Sequence, residues 1–149
     1  MEKKSVLLLI PVFLFVAFAS ASFGDGSATN SRTTQAKAAK TAIRKATGPN
    51  AVTVEEAYRD SIKLDGKVVV IRGKVVKVTA GIMDKNWVHI QDGTGSSANG
   101  TYDLTCTTSD PLPAKDTVVT LTGTLARNRD FGAGYFYSVI VENASFSKK

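Results

Sequence analysis

Two stretches of the sequence, VVVIRGKV at residues 68–75 and VVTLTGTL at residues 118–125, share the pattern that decides the fold. Both are rich in β-branched residues, which favour strands. Gly73 and Gly123 occupy equivalent positions inside them, and a glycine within an otherwise strong strand is typical of a bulge or a sharp bend. Two such bends predict a sheet that curves until it closes on itself.

The residues around these stretches predict one helix and five strands. Thr53-Val-Glu-Glu56 is a capping box, which begins a short helix that ends before Asp65. Alternating or β-branched segments separated by turn residues predict strands at residues 67–78, 87–91, 102–107, 117–125 and 135–146. A sandwich needs about seven strands, so the pattern favours an all-β, five-stranded OB-like barrel with one short N-terminal helix. Strand parity assigns the core to Val69, Ile71, Val75, Val88, Ile90, Leu104, Leu121, Val139 and Val141.

The 149 residues divide into three parts with different composition, and 43% hydrophobic content excludes a disordered chain. Residues 1–21 combine a basic start, an apolar run and Ala19-Ser20-Ala21, which predicts a cleaved signal peptide and a periplasmic or secreted protein without stable membrane insertion. The alternative is a retained membrane anchor. Residues 22–51 are polar and basic, which predicts a flexible linker. The folded OB-like domain is then predicted over residues 52–149.

The domain resembles a known group in its longer segments. GKVVKVTAGIMDKNWVHIQDGTG at residues 73–95, YDLTC at 102–106, Gly123 and DFGAGYFYSVIVENASF at 130–146 resemble exported bacterial OB-fold proteins. That group includes proteins described as nucleic-acid-binding by their fold and relatives of the accessory proteins of cytochrome c nitrite reductase. NWVHIQDGTG is also similar to the second strand of the anticodon-binding OB domains of aminoacyl-tRNA synthetases, with Gln91 in place of the arginine of that strand. The resemblance implies an exported OB fold.

The second predicted strand supplies the main candidate binding residues. Because Val88 and Ile90 belong to the core, parity turns Trp87, His89 and Gln91 outward, onto the face where OB folds bind extended ligands. An outward tryptophan can stack on a ligand; the alternative is that it covers a barrel end or packs under the loop that contains Met83. The other candidate ligand-binding residues are Arg72, Lys74, Thr105, Thr107, Arg127, Arg129 and Phe131.

Catalytic chemistry has little support in the sequence. A nuclease would need carboxylates gathered around a metal ion. The candidate carboxylates instead stand beside turn residues, where an aspartate side chain usually hydrogen-bonds the backbone of the turn; they are Asp84, Asp92, Asp103 and Asp130. The single histidine, His89, has no obvious Ser, Cys or Asp partner in sequence. The sequence therefore predicts that the protein is not an enzyme.

Cys106, the only cysteine, shares strand parity with Leu104 and is predicted to be a small buried hydrophobic residue. Together with Met83 and His89 it could form a soft metal or haem site. No C-x-x-C-H motif supports such a site, so no cofactor or metal is predicted.

Three functional classes follow. The first is a non-catalytic OB-fold binding module for an extended ligand: an oligonucleotide, a peptide or an oligosaccharide. The second is a periplasmic protein-interaction accessory factor of a redox or cytochrome system. A metal or haem carrier is the third.

Overall fold

The computed structural model describes residues 42–148. The predicted signal peptide and the predicted linker up to residue 41 lie outside the described residues. The elements are α1 (Val54–Arg59), α2 (Ser61–Leu64), β1 (Val68–Ile82), β2 (Lys85–Gln91), β3 (Leu104–Thr108), β4 (Val118–Asp130) and β5 (Phe136–Ser147). Among residues 42–148, no helix is long and apolar enough to cross a membrane.

The five strands form one sheet that closes on itself in the order β1-β2-β3-β5-β4, with β4 returning to β1. All neighbouring strands are antiparallel except β3 and β5, which run parallel. The prediction of an all-β protein with five strands is therefore confirmed. The closed sheet places one side of every strand around a common interior and leaves the other side on the outer face.

All nine predicted core residues are buried, and so is Cys106. Alternation along β1 continues from Val69 to Val75 without interruption, which explains why parity identifies the core there. The interior also contains Val54 and Ala57 of α1, so this helix is packed into the core.

The two strand glycines both permit close packing, but only one lies at a bulge. Gly73 pairs with Val119 in unbroken register, so of the two predicted possibilities, a bulge or a sharp bend, it does not form a bulge with β4. Gly123 lies at the register shift between β4 and β5. A Cβ at this position would lie 2.6 Å from Val141 Cγ1 and 3.0 Å from Ala144 Cα. Glycine therefore lets β4 approach β5 where the sheet bends.

The capping box is present, but the predicted single helix is divided in two. Thr53 Oγ1 accepts a hydrogen bond from the Glu56 N–H at 3.1 Å, and Glu56 Oε2 accepts one from the Thr53 N–H at 2.8 Å. The first helix ends at Asp60, whose φ of −99° and ψ of 15° leave the helical region. Asp60 also forms an ion pair with Arg59 at 2.7 Å. The Asp60 side chain makes no capping hydrogen bond to α2.

Candidate functional site

Residues of three neighbouring strands form a polar surface on the outside of the sheet. Across β2 and β3, His89 is paired with Thr105. On the other side of β2, Lys77 is paired with His89 and Lys74 with Gln91. We call this surface the polar face; its members are Lys74, Lys77, His89, Gln91, Asp103 and Thr105.

A carboxylate that the sequence does not link to His89 organises the polar face. Asp103 Oδ1 lies 2.7 Å from His89 Nδ1, and Asp103 Oδ2 accepts a hydrogen bond from Gln91 Nε2 at 2.9 Å. The side chains of His89 and Asp103 are 27% and 23% exposed. His89, which has no obvious partner in sequence, therefore has an acidic partner in the fold. One carboxylate therefore fixes the orientation of both the imidazole and the carboxamide.

The first helix is tied to the same aspartate. The hydroxyl of Tyr58 donates a hydrogen bond to the backbone oxygen of Asp103 at 2.7 Å. Burial, with a smaller effect from the charge of Asp103, raises the pKa of Tyr58 to about 12. Tyr58 is therefore a neutral donor at neutral pH, and it links α1 to the start of β3.

Trp87 lies on the expected side of β2 but is buried. It is 4% exposed, and its Nε1 donates a hydrogen bond to the Ile82 backbone oxygen at 2.8 Å. Three rings contact it, with centroid distances of 5.1 Å to Phe131, 5.5 Å to Tyr137 and 6.1 Å to Tyr135. We call these four residues the aromatic cluster. The expectation of an exposed Trp87 is wrong, and its position matches the alternative of packing beneath the turn that contains Met83.

The exposed aromatic surface belongs instead to the ends of the two hairpins. Met83, in the β1–β2 turn, is 38% exposed, while Tyr135 and Phe136, at the start of β5, are 39% and 58% exposed. We call these three residues the apolar rim. Arg129 lies 5.9 Å from the centre of the Phe131 ring and forms an ion pair with Glu142 at 3.0 Å. The charge of Arg129 is therefore already compensated.

The predicted site residues separate into groups. Trp87, His89, Gln91 and Thr105 share the outer face of β2 and β3, and Trp87 connects them to Phe131. Two other predicted residues, Arg72 and Arg127, make contacts away from this group, and a third, Lys74 of the polar face, is already paired with a carboxylate. Arg72 pairs with Thr120 on the β1–β4 side, Lys74 forms an ion pair with Asp116 at 2.8 Å, and the Arg127 N–H donates to Asp65 Oδ1 at 3.1 Å.

The structure supports the turn interpretation of two aspartates. Asp92 Oδ1 and Asp130 Oδ1 accept hydrogen bonds from the backbone N–H groups of Thr94 and Gly132, respectively. No group of three or more His, Cys, Asp or Glu side chains that could hold a metal ion occurs within residues 42–148. Burial, with a smaller effect from Asp103, raises the pKa of the Cys106 thiol. Cys106 therefore lies in the core as a neutral thiol, on the opposite side of the sheet from His89.

Thr105 and Thr107 point away from the core by parity but are only 5% and 1% exposed, so the expectation that they are accessible is wrong. The Thr107 hydroxyl has no hydrogen-bond partner within the part of the chain that the structure describes. A buried hydroxyl without a partner costs about 1–3 kcal/mol.

Replacing this hydroxyl with a methyl group is expected to stabilise the protein. Thr107→Val should raise the free energy of unfolding by about 1 kcal/mol, measured by urea denaturation, because it removes an unsatisfied polar group at nearly constant volume. Thr105→Val is the matched control, since the Thr105 hydroxyl lies 3.5 Å from His89 Nδ1. A less stable Thr107→Val variant would show that this hydroxyl is satisfied in solution.

Comparison with known proteins does not assign the chain to a family. No protein-family model matches the chain, and no curated protein matches it. The functional inference therefore depends on the residues of the chain and their geometry.

Proposed function

We propose that this chain is an exported, non-catalytic binding module of the OB type, and that it binds an extended ligand across the polar face. Export is proposed from the signal-peptide pattern of residues 1–21. The strand order supports the OB type, because β3 pairs with β5 while β4 returns to β1, as in a five-stranded Greek-key barrel. In OB folds the outer face of the second and third strands binds extended ligands together with the two hairpin loops.

The observation that carries the proposal is the continuity of the polar face with the aromatic cluster. His89 follows Trp87 on the same side of β2, and Trp87 contacts Tyr135 from the β4–β5 hairpin. The Ile82 carbonyl, which accepts the Trp87 N–H, precedes the β1–β2 turn. Both hairpins that border the ligand surface of an OB fold are thus attached to one side chain. Trp87 supports the surface from beneath, and Tyr135 and Phe136 of the apolar rim supply the exposed planar groups.

The chemistry of this surface suits a chain that presents both planar and polar groups. Lys77 lies opposite His89 and has no ion-pair partner among the residues described, so it offers a free positive charge beside an ordered hydrogen-bonding pair. Tyr135 and Phe136 offer rings on which bases or aromatic side chains can stack. Single-stranded oligonucleotides are the first probe, because stacking on an aromatic side chain is worth about 1–3 kcal/mol per base.

The proposal is tested by titrating the protein with labelled single-stranded oligonucleotides, peptides and oligosaccharides. Tyr135→Ala and His89→Ala should each weaken the probe that binds by about tenfold or more. Ile62→Ala is the control, because Ile62 is 75% exposed on α2 and lies outside the polar face. For an oligonucleotide, the logarithm of affinity should fall with the logarithm of salt concentration at about −0.7 per neutralised phosphate. Unchanged affinity in both site variants would contradict the proposed surface.

A protein-interaction accessory factor is the second candidate, and the apolar rim favours it. Exposed apolar residues grouped at one place are typical of protein interaction sites. Binding of a folded protein partner should depend on Phe136, which is 58% exposed, and little on His89. Phe136→Ala and His89→Ala therefore distinguish the two candidates, since an extended polar ligand requires His89.

A further inference from the structure

A cleft lies on a different part of the outer face from the polar face, between an irregular N-terminal segment and strands β1 and β4. Its volume is about 470 Å³. Arg44 and Thr47 line one side, and Arg72, Thr120, Thr122 and Ser147 line the other. We call it the basic cleft. Because its strand residues belong to β1, β4 and β5, it does not include the polar face of β2 and β3.

The wall formed by the N-terminal segment is held at several points. The Ile43 N–H donates a hydrogen bond to the Asp92 backbone oxygen at 2.6 Å, and the Val70 N–H donates one to the Asn50 backbone oxygen at 2.9 Å. Between them, Lys45 forms a 2.6 Å ion pair with Glu56. Residues 43–50, which composition assigns to a linker, are therefore attached to the sheet, and residues 44–47 line one side of the cleft.

The charge of the cleft is positive and partly uncompensated. Its lining contains Arg44, Lys45 and Arg72 and no carboxylate. The hydrogen bond from Lys45 is the main cause that lowers the pKa of Glu56, so this lysine is already paired. Neither arginine has an ion pair with a carboxylate in the described part of the chain; Arg72 Nη1 only donates to the Arg44 backbone oxygen at 3.4 Å. Two guanidinium groups at one cleft repel each other and attract an anion.

The groups available in the cleft match a tetrahedral oxyanion. A guanidinium presents a planar fork of N–H donors, and Arg is favoured wherever phosphate is recognised. The hydroxyls of Thr47, Thr120 and Thr122 add short donors along the lining, while the Ser147 hydroxyl already donates to the Thr120 backbone oxygen at 3.5 Å. A carboxylate has two oxygens, whereas a phosphate group has enough oxygens to contact two guanidiniums and a hydroxyl together. Small-molecule sites typically measure about 300–1,000 Å³, so the cleft also has room for the group that carries the phosphate.

We infer that the basic cleft binds the phosphate group of a phosphomonoester of up to nucleotide size, with Arg44 and Arg72 as the charged contacts. This inference does not rest on the proposed function of the polar face. Arg72, predicted as a ligand-binding residue together with Trp87, serves a separate site in this inference.

The test is isothermal titration calorimetry with AMP, ribose 5-phosphate and adenosine. AMP and ribose 5-phosphate should bind, adenosine should not, and Arg44→Gln and Arg72→Gln should each weaken AMP by about tenfold or more. Arg59→Gln is the matched control, because it removes the same charge from an arginine that is paired with Asp60 on α1; it should change affinity by less than about twofold. Tighter binding of AMP than of ribose 5-phosphate supports a cleft that also contacts the base.

Three results would overturn the inference: no binding of either phosphomonoester at about 1 mM, equal binding of AMP and adenosine, or equal losses in Arg72→Gln and Arg59→Gln. Loss of ligand binding in His89→Ala would instead bear on the proposed function of the polar face. The two proposals therefore fail separately. Circular dichroism of each variant checks that it remains folded, and Arg44 lies outside the helices and strands, where its replacement leaves the sheet intact.

Discussion

Trp87→Ala is expected to lower the free energy of unfolding by about 3–5 kcal/mol, the usual cost of truncating a buried large aromatic side chain. Trp87 is 4% exposed and contacts Phe131, Tyr135 and Tyr137. Its removal deletes these ring contacts and leaves the Ile82 carbonyl without the indole N–H. Urea denaturation of wild type and variant measures the loss.

Trp87→Phe separates the two contributions. It keeps an aromatic ring against Tyr137 but removes the hydrogen bond to Ile82, and a single neutral hydrogen bond contributes about 0.5–1.5 kcal/mol. The smaller ring adds a packing loss, so this variant should lie between wild type and Trp87→Ala. Wild-type stability of Trp87→Ala would mean that the aromatic cluster does not hold the hairpins in solution.

The burial of Trp87 changes how ligand binding has to be tested. A variant that loses this side chain also loses the support of the apolar rim, so reduced binding would not assign a contact. Tyr135→Ala is the sharper probe because Tyr135 is 39% exposed and its ring is accessible to a ligand. Fluorescence of Trp87 still reports on the site, since it lies 6.1 Å from the Tyr135 ring.

Local pattern predicts which side of a strand a residue occupies, but burial on the outer face depends on distant parts of the chain. Alternation places Trp87 opposite Val88 correctly. The rings that cover it, Phe131, Tyr135 and Tyr137, come from a hairpin far along the sequence. Because that contact is set by how the β4–β5 hairpin lies across the sheet, no pattern within β2 contains it.

The contact between His89 and Asp103 also depends on how distant parts of the chain are paired. Asp103 lies directly before β3 and beside turn residues, where a local role explains it. Parity with Thr105 places Asp103 on the outer face. The sequence pattern does not give the register between β2 and β3, which decides whether Asp103 reaches His89. Once Thr105 is paired with His89, the carboxylate of Asp103 lies within reach of both His89 and Gln91.

Composition likewise does not show that residues 43–50 are attached to the sheet. Residues 43–50 lack apolar periodicity, which indicates a linker. Their attachment uses backbone groups, including the Ile43 N–H to the Asp92 carbonyl, and backbone hydrogen bonds leave no signature in side-chain pattern. The basic cleft is invisible in the sequence because one wall depends on these contacts.

Asp92 connects the beginning of α1 to the turn after β2 through a buried carboxylate. Its Oδ2 accepts a hydrogen bond from the Val54 N–H at 2.9 Å, which holds the beginning of α1. Its Oδ1 accepts hydrogen bonds from the N–H and the hydroxyl of Thr94 at 2.9 and 2.6 Å. The hydroxyl of Thr94 in turn accepts the Glu55 N–H at 3.0 Å. The turn interpretation therefore explains the contacts of Asp92 with Thr94 but not its contact with α1.

Asp92→Ala is expected to lower the free energy of unfolding by about 3–5 kcal/mol, because hydrogen bonds to a charged group contribute about 1.5–3 kcal/mol each and a buried donor left unpaired adds its own cost. Asp92→Asn keeps an acceptor for one of the two N–H groups and should lose about half as much. Chemical denaturation gives the magnitude, and amide hydrogen exchange gives the location. The amides of Val54 and Glu55 should exchange faster in Asp92→Ala, since both are held by the Asp92–Thr94 turn.

Asp130→Ala is the matched control, because Asp130 makes the same turn contact at an exposed position. Its loss should cost less than about 1 kcal/mol. Equal losses for Asp92→Ala and Asp130→Ala would contradict the view that Asp92 fastens α1 to the end of β2.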